Sequence, residues 1–345
     1  MRAWVRQFSG HYKSSLKLVD SLPTPPTPGP DSSDILVRVS YVALESSIVH
    51  FMGVLPSLPL SRPLVPELCV SGTVAVAGGK APKELWQPGT RVLAMTDPMS
   101  MVFRGTGALK EYMRVPEAYQ DGVDRPILGM AQGAGLISNG STALATVRAA
   151  KVSSGQRVLV NGASGSVGHI LAQLCRSRGA FVVGVASGAN EALVRGYADE
   201  FVDYRKHASL PDHLAATFGS QPFDSIIDCV GSQVLYTNSP KYLRPEGPFV
   251  NIDALDIEIG ILRHLARWFM NATRPTWLGG TPRQYIFFSN TPNMREVLTL
   301  VEMVEKGELE VILDSEFAMT DLMQAYERVT SKRARGKVLI RMGDR

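Results

Sequence analysis

The stretch Asn161-Gly-Ala-Ser-Gly-Ser-Val-Gly168 limits what this chain can fold into more than any other. It follows an apolar run, Arg157-Val-Leu-Val-Asn161, with the length and β-branched content of a strand, and it opens a helical pattern over 167–178. Glycines in a strand-to-helix turn permit a tight reversal and a close approach of backbone to another group. The free N–H groups of the new helix then face that group, with the positive end of the helix dipole behind them. A pyrophosphate is the group such a turn accommodates. The spacing is G-x-x-G-x-x-G, not the strict G-x-G-x-x-G, so the glycines alone leave a plain glycine-rich turn open.

The surrounding pattern supplies the context. Phe181–Val185, Glu200–Asp203, Asp224–Asp228 and Pro248–Ile252 read as strands, with helical stretches at 190–197 and 209–218 between them, and Tyr285–Phe288 as a last strand. Strands alternating with helices at this spacing predict an α/β fold with a Rossmann doubly wound parallel sheet. Residues 1 to about 128 have a different texture. Ile35–Leu44, Gly72–Ala77 and Thr90–Met95 are short strand-like runs, and Pro23–Pro30 reads as a connector. An amphipathic helix at 293–306 and a strand-like Gly336–Ile340 close the chain. With 345 residues, 45% of them hydrophobic, there is enough chain for two cores.

Composition removes several classes of function. The net charge of +4 is dispersed, and the densest basic cluster, Lys332-Arg-Ala-Arg335, reads as a solvated face, not a nucleic-acid arm. Three scattered cysteines give neither a disulfide framework nor a cysteine-rich zinc site, and fit a reducing compartment. Met1-Arg-Ala-Trp-Val carries no charged-then-apolar leader, and the apolar segment 257–270 is interrupted by Arg263, His264 and Arg267. A cytoplasmic, soluble chain without a transmembrane segment is expected.

The end of the second strand separates NADPH from NADH. An acid there holds the ribose 2′-hydroxyl and repels a 2′-phosphate. The sequence Val185-Ala-Ser187-Gly188-Ala189-Asn190 has no carboxylate before Glu191, Ser187 is a donor, and Tyr204 and Arg205 follow the third strand. NADPH is therefore the expected cofactor. The candidate contacts are Gly162, Ser164, Gly165, Ser166 and Val167 in the turn, Ser187 and Tyr204 beside the adenosine ribose, and Val230 and Phe288 after later strands. Ser187 as a mere turn residue and Tyr204 as a packed surface aromatic are the alternatives.

Six segments in order carry a family resemblance over nearly the whole chain: Pro63-Leu-Val-Pro-Glu67, Gly89-Thr-Arg-Val-Leu93, Gly107-Ala-Leu-Lys-Glu-Tyr112, Val158 to Gly168, Phe223 to Gly231, and Arg333-Ala-Arg-Gly-Lys-Val338. The chain resembles the zinc-independent medium-chain dehydrogenase/reductases, the quinone oxidoreductases and enoyl reductases. The resemblance implies a GroES-like β-rich catalytic domain from 1–138 and 290–345, a cofactor domain over 139–289, and a homodimer through 285–288. Zinc-dependent relatives place metal ligands at positions matching Glu45, Leu68 and Asn139, and leucine ligates nothing, so no metal is expected. A metal-free site of this kind suits an already electrophilic substrate, such as an enone or enoyl double bond that takes hydride at the β-carbon and then a proton. A quinone reductase, or an NADPH-binding protein with a non-redox role in cyclisation, structure or regulation, is the alternative.

Two positions depart from the enoyl-reductase pattern. The tyrosine that often donates the proton is replaced by Leu55, and an asparagine near the nicotinamide by Glu45. The candidate catalytic residues are then Glu45, acting as an acid from an apolar cleft, and His50. Against these stand a Glu45 carboxylate paired with a nearby Arg, a His50 that only packs, and water as the donor. The segment 257–270, with Trp268, Phe269 and nearby Trp277, is expected to line a pocket for a bulky apolar substrate; a core helix and a membrane-touching patch are the alternatives.

Overall fold

The structure is a computed structural model, and it describes all residues except 9, 55–63, 83–86, 118–119, 123–128, 253–260, 289–293 and 344–345. The chain divides into two compact units. One comprises Met1–Ser138, Pro292–Gly307 and Val311–Arg345; the other comprises Asn139–Thr291 and Glu308–Glu310.

The first unit begins with β1 (Ala3–Arg6), α1 (Tyr12–Ser15) and β2 (Leu16–Val19), then β3 (Ile35–Ala43), α2 (Ser46–Val54) and β4 (Cys69–Ala77). It continues through β5 (Arg91–Met95), α3 (Pro98–Arg104), β6 (Tyr112–Val115) and β7 (Gln120–Gly122). The long helix α4 (Met130–Ala149) follows, and the sequence pattern does not announce it, because its glycines and serines blur the apolar period.

The second unit alternates as its sequence predicts: β8 (Arg157–Asn161), α5 (Gly168–Ser177), β9 (Phe181–Ala186), α6 (Glu191–Arg195), β10 (Glu200–Asp203) and α7 (Leu210–Phe218). Then come β11 (Ser225–Asp228), α8 (Gln233–Asn238), β12 (Pro248–Asn251), α9 (Ile261–Thr273) and β13 (Gln284–Phe287). The chain then returns to the first unit with α10 (Met294–Glu305), β14 (Leu313–Ala318), α11 (Leu322–Thr330) and β15 (Lys337–Arg341).

In the second unit six parallel strands are ordered β10-β9-β8-β11-β12-β13. This is the 3-2-1-4-5-6 order of a Rossmann sheet, whose strand order reverses between β8 and β11 and opens a crevice at their carboxyl ends. Val158, Leu159 and Val160 of β8 are all buried, as in a sheet covered on both faces. The Gln173 amide grips the backbone of Glu310, donating at 3.0 Å and accepting at 2.7 Å, which ties 308–310 to this unit.

The first unit holds a mixed sheet, β14-β15-β3-β4-β5-β7 with β6 also on β3, and a separate β1–β2 hairpin. The pairs along this sheet are antiparallel except β14–β15. Its core gathers Val37, Val39 and Val42 of β3 with Val70 and Val74 of β4, Leu322 and Tyr326 of α11, and Val338 and Ile340 of β15. Among the described residues no helix is long and apolar enough to cross a membrane.

Candidate active site

The glycine turn is fixed from behind and open in front. Gly162 takes φ +81°, a conformation that favours glycine. The N–H groups of Gly162 and Ala163 both donate to the Val185 carbonyl at 3.0 Å, which pins the turn to β9. Gly165 N–H donates to Gly162 O, the buried His169 ring meets Gly165 O at 2.9 Å, and Tyr197 hydroxyl donates to Ala163 O at 3.1 Å. The turn's carbonyls are thus drawn inward. Helix α5 starts at Gly168 behind Val167, and no side chain caps it. Gly162 and Ser164–Val167 remain partly exposed, so an uncapped helix N-terminus is presented where a phosphate fits. Tyr197 and His169 were invisible as site residues in the sequence, since each acts through the turn's carbonyl groups.

Beside the turn, Asn190 links two candidate contacts. Its Nδ2 donates to Ser164 Oγ at 2.9 Å and to Ser187 Oγ at 3.2 Å, while its buried Oδ1 has no partner. An orphaned buried acceptor is costly, and a ribose hydroxyl would satisfy it. The same corner holds an acid that reading along the second strand overlooks. Asp203 on β10 pairs in register with Ala186 at the end of β9, and its Oδ2 lies 2.3 Å from where a Cβ on Gly188 would sit. Its Oδ1 accepts from Arg205 N–H at 3.0 Å, which braces the turn carrying Tyr204 and Arg205. Tyr204 is exposed, with Arg205 Nε donating to its hydroxyl at 3.3 Å.

Across the crevice, Asp228 organises the turn after β11. Its Oδ1 accepts from Asn161 Nδ2 at 2.8 Å and Val230 N–H at 3.0 Å, and its Oδ2 from Ser232 N–H at 2.6 Å. Burial raises its pKa, opposed by these hydrogen bonds. The turn places an exposed Val230 against Gly162, 3.0 Å from a Cβ there, so the structure brings Val230 to the glycine turn. Phe288 is not in that group. It follows β13, three strands from β8, about 14 Å away at the usual spacing, with its N–H bonded to Asn251 O.

The proton-donor candidates lie in the other unit. Glu45 forms an ion pair with the buried Lys337 at 2.5 Å; the sequence reading anticipated an arginine in that place. His50 is half-buried further along α2, and Leu55 lies outside the described residues. Next to Glu45 is a second carboxyl that the sequence reading passed over. Glu67 is fully buried at φ 70°, accepting from Glu45 N–H at 3.0 Å and from Tyr326 hydroxyl at 2.8 Å. Burial and the neighbouring Glu45 carboxylate push its pKa up to about 8. Burial also raises the Cys69 thiol beside them.

The pH consequence follows from linkage. Folded Glu67 keeps its proton up to about 8, whereas the unfolded group ionises near ~4.3. Its contribution to stability is full below the unfolded value and is lost as pH rises from there toward 8. Glu67→Gln cannot ionise. Denaturation midpoints from pH 5 to 8 should therefore fall less for the variant, with a relative gain of about 3 kcal/mol by the upper end. Parallel pH profiles would show Glu67 to be ionised in the fold.

A relative from Acremonium sp., the medium chain reductase pydE, is 66% identical over 99% of both chains. The chain belongs to the medium-chain dehydrogenase/reductase family. The chain is also 34% identical to the trans-enoyl reductase poxH of Penicillium oxalicum, over 99% of this chain and 98% of that one. A family model described as zinc-binding dehydrogenase matches residues 197–340. The quinone oxidoreductase of Coxiella burnetii has the same fold, with a TM-score of 0.79, 23% identity and 99% coverage of both chains. The expected family and its pairing of a GroES-like with a Rossmann unit thus hold, and the reductase is an oxidoreductase of a nicotinamide-using family.

Proposed function

We propose that this reductase is a zinc-independent, NADPH-dependent enzyme that reduces the activated double bond of a bulky apolar enone or enoyl substrate. The observation that carries the cofactor half is the uncapped N-terminus of α5 behind a turn whose Gly162, Ala163 and Gly165 carbonyls are tied back. Ser164, Ser187 and Asn190 hold the ribose, and Tyr204 with Arg205, on the turn that Asp203 Oδ1 braces, meets the 2′-phosphate. Val230 packs over the turn, and Phe288 lies further along the sheet toward the nicotinamide end. The choice of substrate class is supported by the similarity to enzymes named trans-enoyl reductases.

The residues do not fit a zinc ion. Leu68 offers no ligand atom, and Glu45 is held by Lys337. Among the described residues no group of three or more His, Cys, Asp or Glu could hold a metal. When bound, the reduced nicotinamide supplies the hydride. The chain's own task is to orient the substrate and deliver a proton to the α-carbon. Glu45 and His50 are the candidates for that step, and the Glu45 carboxyl is already engaged by Lys337 at 2.5 Å. A homodimer through the outer edge of β13, and a cytoplasmic location consistent with three free cysteines, complete the proposal.

The test is oxidation of NADPH with a panel of enones, enoyl thioesters and quinones. Turnover of the first two supports the proposal; tight NADPH binding without turnover favours a non-redox role, and turnover of quinones alone favours a quinone reductase. Ser187→Asp should lower the preference for NADPH over NADH at least tenfold by placing a charge against the 2′-phosphate, measured as the ratio of kcat/KM values. An unchanged ratio would remove Ser187 from the site.

A further inference from the structure

Helix α9 turns several polar side chains toward the protein and leaves large apolar ones exposed. Its inward face is polar or amphipathic: Arg267 donates to His264 Nδ1 at 3.3 Å, Asn271 exchanges two hydrogen bonds with Gln233, and Trp268 stacks on Phe287 at 3.4 Å between centroids. Leu265, Phe269 and Met270 are exposed on the helix, within an arc of about 140° at 3.6 residues per turn. Phe269 is 68% exposed. The apolar surface runs on into the following 3-10 turn (Thr276–Leu278), where Trp277 is 80% exposed and Leu278 half exposed. A helix that turns His264, Arg267 and Asn271 toward the protein while leaving Leu265, Phe269 and Met270 exposed departs from the usual arrangement, and a group of exposed apolar side chains of this kind marks an interaction surface.

Charge narrows the occupant. From Ile261 to Phe288 the chain carries Arg263, Arg267, Arg274 and Arg283 and no Asp or Glu. Arg283 is turned onto the Leu243, Pro240 and Pro282 carbonyls, which leaves Arg263 and Arg274 exposed at the ends of the apolar stripe. A second copy docked on this face would set those arginines against their own counterparts without an acid between them. An anionic surface would be attracted to both. The patch stands on the outside of a helix, with a tryptophan at its margin and cations flanking it, and that is the form of an element that lies in a lipid interface.

We propose that the outer face of α9 and the Thr276–Leu278 turn dock this reductase onto an anionic lipid bilayer. Leu265, Phe269, Met270 and Trp277 enter the headgroup–acyl boundary, while Arg263 and Arg274 meet lipid phosphates. The interaction is peripheral, requires both the apolar and the charged component, and weakens with salt.

The experiment is co-sedimentation of the full chain with vesicles of phosphatidylcholine alone or with about 30 mol% phosphatidylserine, together with tryptophan emission. Binding to the anionic vesicles with a blue shift is expected, with at least fivefold less on neutral vesicles or in high salt. Phe269→Ser with Trp277→Ser should reduce binding at least tenfold, and Arg263→Glu with Arg274→Glu at least fivefold. All four side chains are exposed, so unfolding temperatures should match the parent chain and confirm that the variants fold. Failure to bind anionic vesicles overturns the proposal, as does undiminished binding by the Phe269/Trp277 variant. A concentration-dependent dimer that this variant dissolves would assign the face to a second copy instead. A raised KM for apolar substrates without vesicle binding would assign it to a substrate lid.

Discussion

Lys337→Met is expected to lower the unfolding free energy by about 3–5 kcal/mol. The Lys337 side chain is 2% exposed and its ammonium sits 2.5 Å from Glu45, whose side chain is itself only 12% exposed. Removing the cation leaves a carboxylate in a low-dielectric surround, with the Glu67 carboxyl and the Cys69 thiol as neighbours. Neither can supply the missing charge. The cost should reside in the stranded anion more than in the lost attraction, because desolvation of an unpaired ion exceeds the net worth of most buried pairs. Adding Glu45→Gln to Lys337→Met should then recover much of the loss, and chemical denaturation of the four chains of the double-mutant cycle measures the coupling. A cost below about 1 kcal/mol for Lys337→Met would mean that Glu45 swings to solvent when released, as surface pairs do.

That ion pair also shows where sequence reading stops. Glu45 was legible as an unusual residue, and the anticipated pairing with a cation was sound in kind. Its partner, however, lies 292 residues away on β15, within a segment legible only as a strand and a family mark. Local pattern carries no information about such a contact. The Rossmann half was legible almost strand by strand, because buried parallel strands leave continuous apolar runs and their helices leave a different period. Asp203 was missed for a related reason: it reaches the Ser187 corner across a strand pair, and register is a property of the sheet rather than of the strand. The amphipathic pattern of α9 was plain, but the direction of its apolar face was not. Periodicity gives the width of a stripe and is silent on which side the protein lies. Trp268, Phe269 and Trp277, grouped by sequence, separate in the structure into one stacked ring and two exposed ones.

Gly168→Ala should abolish cofactor binding at working concentrations, raising the Kd at least a hundredfold. A Cβ at this position would stand 2.1 Å from the Gly162 carbonyl oxygen and 2.9 Å from its carbon, both backbone atoms with no rotamer to change. The first residue of α5 therefore has to move away from the turn, or the turn from β8. The second route breaks the Gly162 and Ala163 bonds to Val185 and lifts the turn from Val230; the first withdraws the helix N-terminus from the proposed phosphate position. Both lose the same alignment of N–H donors. Gly165→Ala is the control, since its Cβ would meet only Gly162 O at 3.3 Å, and the neighbour has to give by only a few tenths of an ångström. Its loss should be the smaller, measured by fluorescence titration with NADPH. Thermal unfolding separates a misplaced turn from a lost fold: a Gly168→Ala chain that melts with its β-rich unit intact but no longer gains stability from NADPH has lost the cofactor site alone. Equal affinities for the two variants would place the phosphates away from the start of α5.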